Sequence, residues 1–275
     1  LWAIYFDGET QQIAAVKESI PIADCRFAPE RLDVRIGAAT LSEGRLEGGA
    51  ASASHAVSWR LTFAGDAPPL LLLPESMYAG GFPKAKALVA RPNAAFTGML
   101  TVDGREIAID GWRGSQNHNW GSRHTDRYAW GQVAGFDNAP EAFLECSTAQ
   151  VRIGPLWSPR LTLLVLRDGN EEIALNGLLQ AARAHGNYGF FRWTLDSRSP
   201  QARLHGRIEA PAEAFVGLNY LNPPGGSKTC LNSKLASAEF TLERPGRPAK
   251  TFVTRSRAAF EILTDRSDHG VRIAA

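Results

Sequence analysis

The chain has 275 residues, 44 % of them hydrophobic, enough for one large core or two moderate ones without covalent staples. Its 30 Lys and Arg against 28 Asp and Glu give a net charge of +2, and no basic run is long enough to track a phosphate backbone, so nucleic acid is not an expected partner. Cys25, Cys146 and Cys230 are far apart, odd in number and without a C-x-x-C pair, which argues against a disulfide framework or a zinc site and favours a reducing compartment.

In chain order the expected elements are strands. Period-two alternation runs through "RLDVRIG" from Arg31, "SWRLTF" from Ser58, "FTGMLTV" from Phe96 and "REIAIDGW" from Arg105. The last two flank Asp103-Gly104, the two-residue signal of a type I′ hairpin, whose central residues both need φ > 0. "PPLLLLP", Pro68 to Pro74, is the longest apolar run; it is strand-sized and far short of the roughly 20 residues of a membrane helix. The second half continues with "YAWGQVAGF", "EAFLECSTAQV", "RLTLLVLRDGNEEIALNGLL" turning at Asp168-Gly169-Asn170, then "FFRWTLDS", "ARLHGRIEA" and "SAEFTLER". Only "LLQAARAH", Leu178 to His185, has helical character, and its neighbours argue against it. The expected class is all-β.

A weak internal match appears at an offset of 144 residues: "GFPKAKALVARPNAAFT" from Gly81 lies over "GGSKTCLNSKLASAEFT" from Gly225, pairing Phe96 with Phe240 and Thr97 with Thr241. As a true repeat it implies two related β-domains, residues 1–124 and 125–275, with the junction near residues 120 to 130.

That junction holds "GWRGSQNHNWGSRHTDRYAWGQV", Gly111 to Val133, the most unusual stretch of the chain. Trp112 ends one strand, and Tyr128, Trp130 and Gln132 share one face of the next by alternation. Between them "GSQNHNWGSRHTD" has the composition of an ordered loop whose polar side chains bond their own backbone. His118 and Asn119 beside Trp120 and Trp130 suit a site that clasps a largely apolar ligand and orients one polar atom of it. The competing reading is structural: an Asn-Trp-Gly turn plugging a barrel end, with Trp120 as core and His118 as a strut.

"NHNWG", preceded by Gly-x-x-Gly and followed by an aromatic-x-Trp-x-Gln strand, resembles the superfamily of carotenoid 1,2-hydratases (hydroxyneurosporene synthases), AttH-like proteins, tocopherol cyclases and fungal lipocalin-like Diels–Alderases. "GLNYLNPPGGSKTCLNSKLASAEFTL" is similar to that superfamily's C-terminal region, and the pattern covers roughly residues 44 to 245. The resemblance implies two lipocalin-like (calycin-like) antiparallel β-barrel or sandwich domains and an apolar isoprenoid or polyketide ligand at their seam. His118, Asn119, Trp120 and Gly121 fall on the superfamily's His-Asn-Trp-Gly, with Trp130 and Gln132 on the following strand. At Asn117 the sequence departs from the hydratase pattern, which carries an aspartate in "HDHNWG". An amide is no proton donor for an alkene, so hydration by the familiar route lacks its acid there.

His118 and Glu145 are therefore the candidate catalytic groups, Glu145 only if buried, since an isolated strand carboxylate is ordinarily on a solvated face. Trp112, Asn117, Asn119, Trp120, Tyr128, Trp130 and Gln132 are the candidate ligand-binding residues. No G-x-S-x-G marks a hydrolase nucleophile, His118 and His124 lack a third metal ligand other than Asp126, and no Gly-rich loop precedes a helix, so neither metal nor other cofactor is expected. Lys228 and Lys234 flank Cys230 and would lower its thiol pKa if close, although strand cysteines are commonly inert core. Two functions stay open: a cofactor-independent cyclase, isomerase or hydratase-like lyase, and a non-catalytic carrier of a lipid-like molecule. The sequence leaves the oligomeric state unread. A cytoplasmic location is expected, with an N-terminal leader left open by a chain that starts at Leu1.

Overall fold

Alternating sequences become strands when one face has somewhere to be buried, and most of this chain finds such a place: 64 % of it is strand and 6 % helix. The computed structural model describes residues 1–222 and 225–275, so Pro223 and Pro224 of the "LNPPGG" stretch lie outside the described residues. The chain divides into two compact units, the first comprising residues 1–66, 94–114 and 274–275, the second residues 67–93 and 115–273. Residues 124 and 125, where the sequence places the junction, both fall in the second unit.

Strands β1 (Trp2–Phe6) and β2 (Ile13–Lys17) form a hairpin. β3 (Cys25–Phe27), β4 (Asp33–Ile36), β5 (Ala39–Ser42), β6 (Arg45–Ala51) and β7 (Ala56–Ala64) follow as an antiparallel meander. Two long strands, β9 (Ala85–Val102) and β10 (Arg105–Gly121), come after the short β8 (Leu70–Leu71). Their turn is the expected one, with Asp103 at φ 50° and Gly104 at φ 83°. The core of the first unit is small: Ala14 and Val16 pack with Ala50, Val57 and Val102.

The second unit carries a curled antiparallel sheet. Its strands are β11 (Arg127–Phe136), β12 (Ala139–Gln150), β15 (Leu161–Asp168), β16 (Glu171–Leu175), β17 (His185–Gly189), β18 (Arg192–Arg198), β19 (Arg203–Glu209), β20 (Val216–Leu221), β21 (Ser227–Arg244) and β22 (Arg247–Thr264), with the small hairpin of β13 (Arg152–Ile153) and β14 (Leu156–Trp157) set between β12 and β15. Their order is β16-β15-β12-β11-β22-β21-β19-β18-β17, with β20 alongside β21. The concave side closes over a core that includes Trp193, Phe136, Phe240, Phe252 and Phe260. Trp193 is wholly buried, and its indole N–H donates to the Thr148 hydroxyl at 3.1 Å, so its one polar atom is satisfied. Leu178–Arg183 forms a helix after all; Ala181 anchors it to a second apolar layer while Leu178 and Leu179 stay exposed, which is why no clean amphipathic pattern marked it.

The strand order repeats along the chain, at an offset of 142 residues counted from the turn glycines Gly104 and Gly246 rather than the 144 of the sequence match. The order β10-β9-β7-β6-β5, with β8 beside β9, recurs as β22-β21-β19-β18-β17, with β20 beside β21. β9 and β21, the strands that carry the matched residues, are each 18 residues long and each opens a long hairpin. No helix among the described residues is long and apolar enough to cross a membrane.

Gly131, in the middle of β11, is required by close packing. A Cβ there would stand 2.5 Å from Ile208 Cδ1 and 3.1 Å from the Trp193 ring. Gly131→Ala is expected to lower stability by about 1–3 kcal/mol through overpacking, measured by urea unfolding; an unchanged midpoint would mean that this wall yields.

Candidate functional site

The site is built on the face of the sheet opposite its main core. Along β11, Ala129 and Val133 enter that core, so Tyr128, Trp130 and Gln132 point the other way. Cross-strand register extends their face in rows. Gln132 lies between Glu145 of β12 and Ala259 of β22; Trp130 lies between Ser147 and Glu261; and Glu261 in turn faces Asn232 of β21.

This second face is also covered. Leu70 and Leu72 of "PPLLLLP", with Val89 of β9, pack against Phe143, Leu163 and Val165. Glu145 shares strand β12 with Phe143 and lies opposite Val165, so the cover leaves it only 3 % exposed. The expectation of a solvated strand carboxylate is thus corrected, because a layer from far upstream in sequence displaces the water.

Glu145 is held by two donors, Trp130 Nε1 to its Oε1 and Gln132 Nε2 to its Oε2, each at 2.7 Å. Gln132 is held in turn: the Ser115 hydroxyl donates to its Oε1 at 2.5 Å, and its amide nitrogen also reaches Asn117 Oδ1 at 3.3 Å. Burial pushes the Glu145 carboxyl up from 4.5 to about 7; the two N–H donors oppose this, Glu261 adds to it, and Lys234 offsets it. A carboxyl in that range has both protonation states available at neutral pH, so it can deliver a proton and recover it.

Ser115 to Gly121 was expected to be loop and is strand, the end of β10. Its Asn, Ser and Gly content reads as loop in isolation, but extended pairing overrides local preference. The motif glycine, Gly121, has φ 155°, and a Cβ there would run into the Lys84 carbonyl at the start of β9, to which Ser122 N donates at 3.0 Å. His118 and Trp120 stack at 5.1 Å, and the Tyr78 ring lies 5.9 Å from that of Trp120. His118, Asn119 and Trp120 are exposed, and their strand contributes Ser115 and Asn117 to the Glu145 network. Trp112 belongs to the first unit and is 48 % exposed.

Tyr128 stands apart from Glu145, among Cys230, Glu261 and Tyr220, where burial pushes its phenol well above the usual value. Cys230 is likewise raised, by burial and then by Glu261, so the neighbouring lysines do not make it a thiolate. Lys228 is turned to the Asp126 carbonyl. His124 Nε2 donates to the Leu221 carbonyl, 3.2 Å away, and its ring packs on Tyr220. Sequence reasoning missed Ser115, Asn232 and Glu261, and read Lys234 only as a neighbour of Cys230; the alternation of Phe260-Glu261-Ile262 was the available signal for Glu261.

No family model matches the chain. Two uncharacterized proteins of Mycobacterium tuberculosis, from strains CDC 1551 / Oshkosh and ATCC 25618 / H37Rv, are each 26 % identical over 248 residues, covering 88 % of this chain and 67 % of theirs. Among solved structures, kievitone hydratase from Nectria haematococca superposes with a TM-score of 0.60 at 14 % identity, over 96 % of this chain and 79 % of that one. A putative AttH from Nitrosomonas europaea gives 0.48 at 13 % identity, over 92 % and 75 %. The chain has the all-β, lipocalin-like fold that the sequence resemblance implied, and it shares that fold with kievitone hydratase.

Burying Glu145 makes stability depend on pH. Because the folded pKa is raised, the native state keeps a proton that the unfolded chain has lost, so this contribution is complete below pH 4.5 and is lost as pH rises through about 7. The difference corresponds to about 3 kcal/mol. Urea unfolding should therefore show Glu145→Gln gaining stability over the wild type at pH 8 and losing that advantage at pH 4.5; parallel pH profiles for the two proteins would contradict the buried, proton-retaining carboxyl.

Proposed function

We propose that the protein is a cofactor-independent lyase or isomerase that acts on a largely apolar, unsaturated small molecule of the isoprenoid or polyketide class. Glu145 is the group that gives and takes the proton. The observation that carries this reading is a buried carboxyl, pushed to about 7 and aimed by an indole and an amide whose own positions are fixed by a further shell of hydrogen bonds. A wall that merely buried a lipid would have no use for it, since an apolar side chain would fill the same space at less cost.

The chemistry that best fits is addition or loss of water at a carbon–carbon double bond. A proton from Glu145 forms the new C–H bond, the π face of an aromatic neighbour steadies the positive charge, and water completes the addition. Kievitone hydratase, a hydratase by name, has the same fold and supports this direction. Asn117 cannot be the acid, but it is joined through Gln132 of β11 to Glu145 of β12, which takes that role. The exposed ring pair of His118 and Trp120 supplies aromatic surface for the apolar part of the ligand.

The test is turnover of prenylated phenols and acyclic polyenes, together with any molecule that co-purifies. Glu145→Gln should lower kcat by on the order of 10²–10⁴ while ligand affinity stays within about threefold, because a general acid acts on the chemical step. The wild-type rate should fall as pH rises through about 7, where Glu145 loses its proton. Tight binding with no turnover at any pH, the same in both proteins, would instead establish a carrier.

A further inference from the structure

A second polar group of side chains stands beside Trp130, on the far side from Glu145. Asn232 and Glu261 are directly opposite each other on β21 and β22, and Trp130 faces Glu261 from β11. The Asn232 amide nitrogen donates to Glu261 Oε1. That bond settles which way the amide points, because a carboxylate only accepts. The amide oxygen, Oδ1, is then fully buried with no hydrogen-bond partner among the described residues, on a residue only 3 % exposed. Lys234 pairs with the same Glu261 oxygen at 3.2 Å, and its ammonium lies 5.1 Å from the centre of the Trp130 ring. Glu261 Oε2 is 3.8 Å from the Cys230 thiol.

A buried carbonyl oxygen without a donor is costly and rare. Here it sits next to a carboxylate, another acceptor, so the group that satisfies both is one that donates twice from a single oxygen. Water fits, and the hydroxyl that water becomes when it adds to carbon fits once Glu261 has taken the other proton, donating to Asn232 Oδ1 and accepting from Glu261. The cross-strand rows thus put Glu145 and Glu261, the latter paired with Asn232 of β21, on the strands to either side of the one that carries Trp130.

We propose that Asn232 Oδ1 and Glu261 form a water subsite, which holds the water added to the double bond protonated by Glu145 or the hydroxyl lost in the reverse direction. The inference rests on the reading of the site as a lyase and names where its second substrate binds. In the forward direction the π electrons of the double bond take the Glu145 proton to make C–H, and a lone pair of the held water makes C–O. One water proton passes to the Glu261 carboxylate and returns to Glu145 through solvent. The sum is alkene plus water giving alcohol, with no change of oxidation state beyond that addition and no other reagent. Lys234 keeps Glu261 in place as an ion pair. Asn232 and Lys234 are positioning residues in this scheme, and Glu261 is the base.

Two measurements test it. A crystal structure of the ligand-free protein should show an ordered water within hydrogen-bond distance of both Asn232 Oδ1 and Glu261. That water should be lost in Asn232→Leu while the Glu145–Trp130 bond remains, and well-ordered density with no water at that place overturns the proposal. Separately, binding of farnesol and of the hydrocarbon farnesene is followed by tryptophan fluorescence. The wild type should prefer the alcohol by about tenfold, the worth of one good hydrogen bond, and Asn232→Leu and Glu261→Gln should each reduce the preference to about twofold or less. A preference that survives in both folded variants overturns the subsite. If neither probe binds the wild type, the apolar-ligand reading fails instead, and the ordered water alone then decides the subsite.

Discussion

Around β11, β12 and β15 the sheet of the second unit is buried on both of its faces, and a carboxyl on a face that has lost its water must find donors in the protein or keep its proton. β11 meets that constraint in alternate residues: Ala129, Gly131 and Val133 supply small, apolar contacts to the main core, while Trp130 and Gln132 supply N–H groups to the covered outer face. Each donor is itself constrained. Gln132 has its carbonyl taken by Ser115, which turns its amide nitrogen toward Glu145, and the Trp130 ring is flanked by the Lys234 ammonium. The network is satisfied on the donor side and still fails to hold Glu145 at an ordinary pKa, because burial outweighs two hydrogen bonds. A structural site would ordinarily resolve that tension with an arginine; here it is left in place, as the proposed proton-transfer role requires.

Much of the fold was legible in the sequence because strand alternation is local. The turn at Asp103-Gly104 and the shared face of Tyr128, Trp130 and Gln132 needed only neighbouring residues. The site was legible in part for the same reason. Trp130 and Gln132 could be placed, but the state of Glu145 depends on Leu70, Leu72 and Val89, which lie more than fifty residues upstream and reach it only in the folded chain. A carboxylate between apolar residues on a strand looks the same in sequence whether the face it takes is wet or dry. Ser115 to Gly121 failed for the opposite reason: its side chains have turn preferences, and the strand exists because β9 offers it a partner. Lys228 and Lys234 looked equivalent beside Cys230, yet they point to different partners, the Asp126 carbonyl and Glu261.

The repeat explains why the sequence motif marked only half of the polar cluster. β10 and β22 occupy the same place in the repeated strand order, each the second strand of a long hairpin that turns at Gly104 or Gly246. Counted from those turns, the end of β10 with Asn117, His118 and Trp120 corresponds to the end of β22 with Glu261. In β10 that stretch carries a run of Asn, His and Trp, which stands out in any sequence. In β22 it reads "AAFEILT", an ordinary buried strand with one carboxylate in it. Both stretches nevertheless bring polar atoms to the two β11 side chains, Asn117 to Gln132 and Glu261 to the row of Trp130. A fold that places equivalent strand ends beside one central strand can divide a polar cluster between them. The half that meets solvent is conspicuous in sequence, and the half that must also serve the core is written in residues that look like core.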